Sequence, residues 1–351
     1  MNSYAQRRFN LRLTVATLVG GLSLVGCALF RSAVNTSPSM RWWLFSNYGA
    51  NQVCPKVLST GAPLRLDPAG PVIGRFFPNQ CDKRLDDARQ TLTLSLSGTG
   101  FAWTPIAGRV GFRASATVEY RMDFRLEADS VYVWGVPTGA SPAPQFQLGA
   151  VENPIVNWAA QGPAAYLAAT FGTQLLSTRL AEGFTAIRSD SGDEFALGHF
   201  VPPARPPKPY ALEGEDRVLL ASETTEVRAG QVDIAGPFDV SEEGQALYLR
   251  VRAEGPAVDI LVYQRYTIDP WREGLQTGTP LAHPPMPELR AFVATSNIET
   301  RQTIELAKGS YVLLIDNSAK LGQVNPPWNP LGMVGAGSTR VSYAVELGSS
   351  H

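Results

Sequence analysis

Histidine and cysteine, the side chains that most often carry acid–base, nucleophilic or metal chemistry, are scarce in this sequence. The chain has three histidines and three cysteines among 351 residues. His199, His283 and His351 belong to no H-E-x-x-H pair, and no G-x-S-x-G elbow or phosphate-binding glycine loop accompanies them. We therefore predict no catalytic residues, no enzymatic activity and no cofactor.

The acidic segment around Gly192 could be mistaken for a calcium loop. It contains Asp190, Asp193 and Glu194, but a calcium loop needs a longer series of oxygen ligands at fixed positions. A zinc site would need more ligands than the cysteines and the scattered histidines supply. The sequence therefore predicts a solvated turn here and no metal site.

The first 26 residues have the charge pattern of a secretory signal. Residues 1–12 contain Arg7, Arg8 and Arg12 and no acidic residue, and residues 13–26 carry no charge. This uncharged run is shorter than the roughly 20 apolar residues that cross a bilayer as a helix. The start of the chain therefore predicts export rather than a membrane span.

The four residues LVGC, which end at Cys27, resemble the lipobox of bacterial lipoproteins. The resemblance implies that residues 1–26 are cleaved as a signal peptide and that Cys27 is acylated, for example with palmitate. Acyl chains gain about 0.8 kcal/mol per buried methylene, so several of them anchor a protein firmly in a bilayer. Ala28, in place of an Asp, resembles lipoproteins sent to the outer membrane. The alternative is an ordinary signal peptide with Cys27 as a free or paired thiol.

Lipidation also accounts for the odd number of cysteines. An exported chain with three cysteines would otherwise keep one of them unpaired. With Cys27 acylated, Cys54 and Cys81 remain to close one disulfide loop, which contributes about 3 kcal/mol to stability at this loop length. We therefore predict a structural disulfide between them.

Charge and proline content describe how the rest of the chain is organised. Cleavage of residues 1–26, which contain three arginines and no acid, takes the net charge from −1 to −4 and leaves no basic footprint for nucleic acid. The proline-rich residues 202–211 predict a stiff, extended linker. The predicted order is a lipidated tether (27–45), an α+β domain (46–201), this linker and a β-sandwich domain (212–351).

Hydrophobic periodicity predicts a sheet and a helix in the first domain. Residues 91–97, 117–126 and 131–136 alternate polar and apolar side chains, which predicts an antiparallel sheet. Over residues 163–187 the apolar residues recur every three to five positions, which predicts one long amphipathic helix covering that sheet. This α+β pattern loosely resembles tubular lipid-binding folds, and the resemblance implies an apolar groove; the alternative is a packed core. The candidate groove residues are Val118, Tyr120, Met122, Phe124, Leu126, Leu167, Phe171, Leu175 and Phe184.

Two segments near the end of the chain resemble the last strands of the GOLD-type β-sandwich. They are residues 309–318 (GSYVLLIDNS) and 339–347 (TRVSYAVEL), separated here by a proline- and glycine-rich insertion. The resemblance implies an interaction module that binds proteins or membrane components and is not a catalyst. Strand alternation predicts which side chains fill the core between the sheets. These are Val312, Leu314, Val341, Tyr343 and Val345.

Together these features predict a membrane-anchored envelope lipoprotein with a non-catalytic binding or assembly role. Its expected partners are the lipid bilayer, through acylated Cys27, and an envelope protein. Trp328 and the aromatic residues of 266–271 are candidate contacts. The alternative function is a carrier of a lipid or another small hydrophobic molecule in the groove.

Overall fold

The chain is built mainly from β-strands. The computed structural model describes residues 24–59, 61–67, 70–104, 108–139, 144–151, 180–277, 279–326 and 337–350. Strands make up 54% and helices 17% of the structure. The predicted α+β class is therefore wrong, because no long amphipathic helix covers the N-terminal sheet in the described part of the chain.

The described helices are short, and most of them precede the first strand. Pro38 occupies the first turn of the second helix, where its missing N–H costs nothing, and the side chain of Ser37 accepts a hydrogen bond from the Met40 amide. The helical bounds are α1 Leu24–Thr36, α2 Pro38–Leu44, a π-helical segment Phe45–Gly49, α3 Ala50–Ser59 and, much later, α4 Arg265–Thr277.

The first half of the chain forms long antiparallel strands, as the alternating pattern predicted. The three predicted strands fall within β3, β4 and β5 of the following set. The bounds are β1 Ala62–Arg65, β2 Val72–Asp86, β3 Thr91–Thr104, β4 Gly108–Leu126, β5 Ser130–Pro137, β6 Gln145–Val151, β7 Phe184–Ser189 and β8 Gly192–Leu197.

The second half supplies eight further strands and helix α4. Two sheets are formed from the described strands of the whole chain. The larger has 12 strands: ten follow the path β14-β11-β16-β9-β2-β3-β4-β5-β7-β8, while β1 pairs with β2 and β6 pairs with β4 beside that path. The smaller has four strands in the order β10-β15-β12-β13. The bounds are β9 Val218–Val227, β10 Gln231–Val240, β11 Gln245–Glu254, β12 Val258–Gln264, β13 Arg290–Ala294, β14 Glu299–Glu305, β15 Gly309–Asn317 and β16 Thr339–Ser349.

The end of the predicted amphipathic helix is a strand. Gly183 has a φ of +72°, which a glycine adopts easily, and the chain turns there into β7. In β7 Thr185 and Ile187 are buried while their neighbours are less so, which is the period of two of a strand. Phe184 is therefore a residue of the sheet itself and does not lie on a helix that covers the sheet. Leu167, Phe171 and Leu175 lie outside the described residues.

The C-terminal half contains the predicted β-sandwich. Its core lies between β9, β11, β14 and β16 of the large sheet and all four strands of the small sheet, and it contains Val341, Tyr343 and Val345 as predicted. Val312 and Leu314 are instead on the opposite face of β15. Tyr311, Leu313 and Ile315 take the inward positions. Strand β15 is buried on both faces, so its sequence is continuously apolar and carries no alternation to read.

The outer face of the small sheet packs on the N-terminal half. Phe101 and Trp103 of β3 share a second core with Val312, Leu314 and residues of α4. Helix α4 approaches β4 so closely that a Cβ on Gly111 would lie 2.0 Å from the Gln276 carbonyl oxygen. Among the described strands of the large sheet, the two halves meet at one parallel pair, Val72 with Thr225. The second core therefore joins the halves more extensively than strand pairing does.

The proline-rich segment is fixed to the sheets at both ends. Arg205 and Lys208 pair with Glu194 of β8 at 2.7 and 2.9 Å. At the other end, the Tyr210 amide donates to the Ser222 hydroxyl at 3.1 Å, and Arg250 donates to the Ala211 carbonyl oxygen. These contacts hold residues 202–211 along the protein surface.

Candidate functional site

The face predicted to line a groove is covered by the N-terminal helices. We call α1, α2, the π-helical segment and α3, residues 24–59, the cap. Val34, Trp42, Phe45 and Ala50 of the cap are buried against the apolar face of β3 and β4. The predicted groove residues Val118, Tyr120, Met122 and Phe124 are all buried in this cluster, and Leu126 and Phe184 pack on it while partly exposed.

Residues 27–45, predicted as a tether, are mostly helical and belong to the cap. Val34 of α1 and Trp42 of α2 are both buried against the sheet. Asn35 accepts from the Leu126 amide at 2.9 Å and donates to the Leu126 carbonyl oxygen at 2.8 Å. The chain is therefore fixed to β4 at Asn35, eight residues after Cys27.

The cap is fastened to the sheet by three strong contacts. The predicted disulfide is present and joins Cys54 of α3 to Cys81 of β2, with the two Cα atoms 5.5 Å apart. Arg41 of α2 donates two hydrogen bonds to the Asp123 carboxylate of β4, at 2.5 and 3.2 Å. The Lys83 ammonium of β2 donates to the Ala50 carbonyl oxygen at 2.8 Å. Covalent, ionic and apolar contacts thus hold the cap in one position.

The outer side of the cap exposes large apolar side chains. Met40 and Trp43 lie one turn apart on α2 and are 39% and 50% exposed, and Tyr48 is 51% exposed. The Trp43 and Tyr48 rings meet edge to face with centroids 5.9 Å apart. We call Met40, Trp43 and Tyr48 the aromatic patch. Sequence reasoning did not identify it, although the adjacent pair Trp42-Trp43 was a visible signal.

The cap contributes no acidic side chain of its own, and the carboxylates that reach it, Asp123 at Arg41 and Asp87 at the Trp42 indole, come from later in the chain. The first Asp or Glu of the sequence is Asp67, while the cap contains Arg31, Arg41 and Lys56. The exposed surface around the aromatic patch therefore receives no negative charge from its own segment.

The other predicted contact residues differ in environment. Tyr266 is 69% exposed on α4, but Trp271 packs on the second core and donates its indole N–H to the Ala282 carbonyl oxygen at 2.8 Å. Trp271 is therefore a structural side chain rather than a free anchor. Trp328 lies outside the described residues.

The residues considered for catalysis are not brought together. His199 packs on Trp134 with ring centroids 5.4 Å apart. In the predicted turn, Asp193 pairs with Arg188 at 3.4 Å, and Glu194 is held by the proline-rich segment. Over the ranges that the structure describes, no group of three or more His, Cys, Asp and Glu side chains could hold a metal ion.

A pair of buried carboxylates lies on β12 and β15. Asp259 and Asp316 are directly opposite each other in the antiparallel register, and they are 2% and 0% exposed. Burial raises the pKa of Asp316 to about 7, and the Asp259 charge adds to the increase. The Val324 amide donates to Asp259 at 2.8 Å. The pair thus anchors the chain that follows β15.

Comparison with known proteins assigns no family. No family model and no curated protein matches this sequence. A structure titled "Bacillus endospore appendages form a novel family of disulfide-linked pili" aligns at 12% identity over 40% of this chain and 96% of that chain, with a TM-score of 0.22. A glycoside hydrolase family 43 arabinoxylan arabinofuranohydrolase from Bacillus subtilis aligns at 11% identity over 80% of this chain and 69% of that chain, with a TM-score of 0.21. Scores this low support no inference about fold or function.

None of the helices within the described ranges combines the length and the apolar character that a membrane crossing requires.

Proposed function

We propose that this chain is a bacterial envelope lipoprotein, anchored in the outer membrane by acylated Cys27 and acting as a non-catalytic binding or assembly module. The observation that carries the proposal is the position of Cys27 in α1, the helix that also contains buried Val34. Seven residues of helix span about 10 Å at 1.5 Å per residue. An acyl anchor at Cys27 would therefore hold the folded body directly at the membrane surface.

The architecture below the cap suits a platform for protein contact. The cap, the N-terminal sheet and the sandwich are connected by the disulfide and by two apolar clusters, which favours a single rigid body. In such a body the exposed loops of the sandwich lie at fixed positions relative to the membrane anchor. A rigid scaffold with exposed loops is a common basis for protein recognition.

The alternative of a hydrophobe carrier has no observation in its favour. Trp42 and Phe45 of the cap occupy the apolar face of β4 that a ligand would have used. The other predicted wall, residues 163–179, lies outside the described residues. We therefore do not advance a carrier function.

Intact-mass spectrometry of the full-length chain expressed in bacterial membranes tests the anchor. We expect a mature chain that starts at Cys27, carries acyl mass on that residue and fractionates with membranes. The matched control is Cys27→Ala, which should lack the acyl mass. Wild-type protein in the water-soluble fraction without acyl mass would refute the anchor.

Native mass spectrometry of the same sample tests the binding role against the carrier role. A binding or assembly module should carry no lipid beyond its covalent chains after mild detergent exchange. A further lipid bound at a ratio of one per chain would contradict the proposed role and restore the carrier.

A further inference from the structure

We infer that the aromatic patch of the cap, Met40, Trp43 and Tyr48, lies in the headgroup region of a lipid bilayer and fixes the orientation of the protein on the membrane. This inference rests on the proposed function for its location, and it adds a second, non-covalent contact to the anchor. The occupant of the patch is thus a lipid surface.

The first argument is the exposure of the patch. Exposed single apolar side chains are common on soluble proteins and need no explanation. Trp43 and Tyr48 differ because they touch each other and are both at least 50% exposed. In the other ring pairs among the described residues, at least one ring is buried or half-buried. Tryptophan and tyrosine are the residues enriched at the boundary between hydrocarbon and water.

The second argument is the position of the patch relative to Cys27. The uncharged run of residues 13–26 ends immediately before Cys27, and α1 leads from there into α2 with one intervening residue, Ser37. Leu29, on the first turns of α1, is 66% exposed. The patch therefore lies on the part of the fold that a membrane anchor at Cys27 keeps near the bilayer.

The third argument is charge. The cap has no acidic residue and three cations, of which Arg41 pairs with Asp123 of β4 at 2.5 Å and Lys56 pairs with Asp193 of β8 at 3.7 Å, so the cap adds no negative charge of its own. A protein that binds a lipid surface must not present carboxylates to phosphate headgroups, and basic residues near the surface favour anionic lipids. Since the remainder of the mature chain is acidic, the cap is the end of the molecule best suited to face lipid.

Quenching of tryptophan fluorescence by brominated lipids tests the inference. The full-length acylated protein is reconstituted into vesicles of phosphatidylethanolamine and phosphatidylglycerol with brominated acyl chains, and compared with non-brominated vesicles. Trp43 is one of seven tryptophans. We expect Trp43→Phe to remove a quenched component of up to about one seventh of the emission, since Trp43 lies at the depth that interfacial tryptophans occupy. Trp271→Phe, which changes a tryptophan packed on the second core, should leave that component in place.

The other outcomes either refute the lipid contact or show whether the patch or the acyl anchor has failed. Equal quenching of wild type and Trp43→Phe would refute the lipid contact. If Trp43 is unquenched in vesicles but shielded from oxidation in native membranes, a protein covers the patch and the lipid assignment is wrong. Intact mass of the same sample reports acylation separately: acylated protein with unquenched Trp43 overturns the patch alone, and unacylated protein with quenched Trp43 overturns the anchor alone.

Discussion

Two clusters of buried charge have opposite composition: one joins the two halves of the chain, and the other lies within the C-terminal half. In the first, Arg75 of β2 is 2% exposed and donates two hydrogen bonds to Asp233 of β10, at 2.8 and 2.9 Å. It also donates to Glu223 at 3.0 Å and to the Tyr343 hydroxyl at 3.1 Å. We call these four side chains the Arg75 cluster. In the second, Asp259 and Asp316 are buried beside each other with like charge.

The two clusters show how a partner decides the ionisation of a buried acid. Burial alone would raise the pKa of Asp233, but the charge and hydrogen bonds of Arg75 outweigh it, and the pKa falls below its usual range. For Asp316 burial prevails, and the pKa rises to about 7. The Arg75 cluster therefore stabilises the fold when its carboxylates are ionised, whereas the Asp259–Asp316 pair destabilises the fold less when Asp316 is protonated.

The largest expected effect is the loss of the arginine. Arg75→Met leaves Asp233 buried and unpaired, and removing one partner of a buried ion pair costs about 3–5 kcal/mol. We expect the midpoint of urea unfolding to fall accordingly. Arg301→Met, which removes an exposed arginine paired with Glu213 and Glu299, is the control and should shift the midpoint little. Equal shifts in the two variants would show that the cluster contributes no more than a surface pair.

A smaller effect, of opposite sign, is expected from Asp316→Asn. Because the pKa of Asp316 is raised to about 7 from 3.8, the folded state binds a proton that the unfolded state releases between these values. The free energy of unfolding should therefore fall as pH rises from about 4 to about 7, with the full loss present above pH 7. Asp316→Asn should remove that slope and raise the free energy of unfolding at pH 8 by on the order of 2–4 kcal/mol.

Urea titrations at several pH values measure this slope. Asp239→Asn, on an exposed position of β10, should leave the slope unchanged. A wild-type stability that stays level between pH 4 and 7 would contradict the raised pKa of Asp316.

Tyr343→Phe should have a moderate effect on the Arg75 cluster. The Tyr343 hydroxyl donates to Glu223 at 2.7 Å and accepts from Arg75, so its removal costs about 1–2 kcal/mol in the free energy of unfolding. Tyr266→Phe, at a ring that is 69% exposed, provides the comparison and should be neutral. A neutral Tyr343→Phe would mean that the hydroxyl adds nothing to the ion pairs.

The smallest expected effect is that of Glu223→Gln, about 1 kcal/mol, because Glu223 is partly exposed and Asp233 still pairs with Arg75. The double variant with Tyr343→Phe sharpens the result. Since the two side chains share a hydrogen bond, their effects should not add, and the difference should reach about 0.5 kcal/mol or more. Additive effects would show that the Tyr343 hydroxyl and the Glu223 carboxylate contribute to stability independently.

The features that the sequence predicted well are those with a local signal. The strand of residues 117–126 alternates without interruption, and β4 contains it. The disulfide was inferred from the number of cysteines and is present. Local periodicity and simple residue counts determine these features, so no knowledge of the tertiary structure was needed.

The features that it missed depend on contacts between distant residues. Arg75 and Asp233 are separated by 158 positions, and no local pattern marks them as partners. Phe184 was assigned to a helix because its spacing from earlier apolar residues fits both a helix and a strand preceded by a turn. The cap was missed because only a few of its side chains are apolar and buried, and their role depends on a sheet that forms later in the chain.

The disulfide between the cap and β2 also defines a mechanical path. If the acyl chains on Cys27 are inserted in the membrane, a force between the membrane and the rest of the molecule acts first on α1. The bond from Cys54 to Cys81 carries that load past the non-covalent cap contacts into β2. Strand β2 pairs with β3 from Gly74 to Asp86, so many backbone hydrogen bonds would share the tension. With the disulfide intact, the cap would stay covalently joined to β2 under force. After reduction, only its apolar and ionic contacts would resist the force.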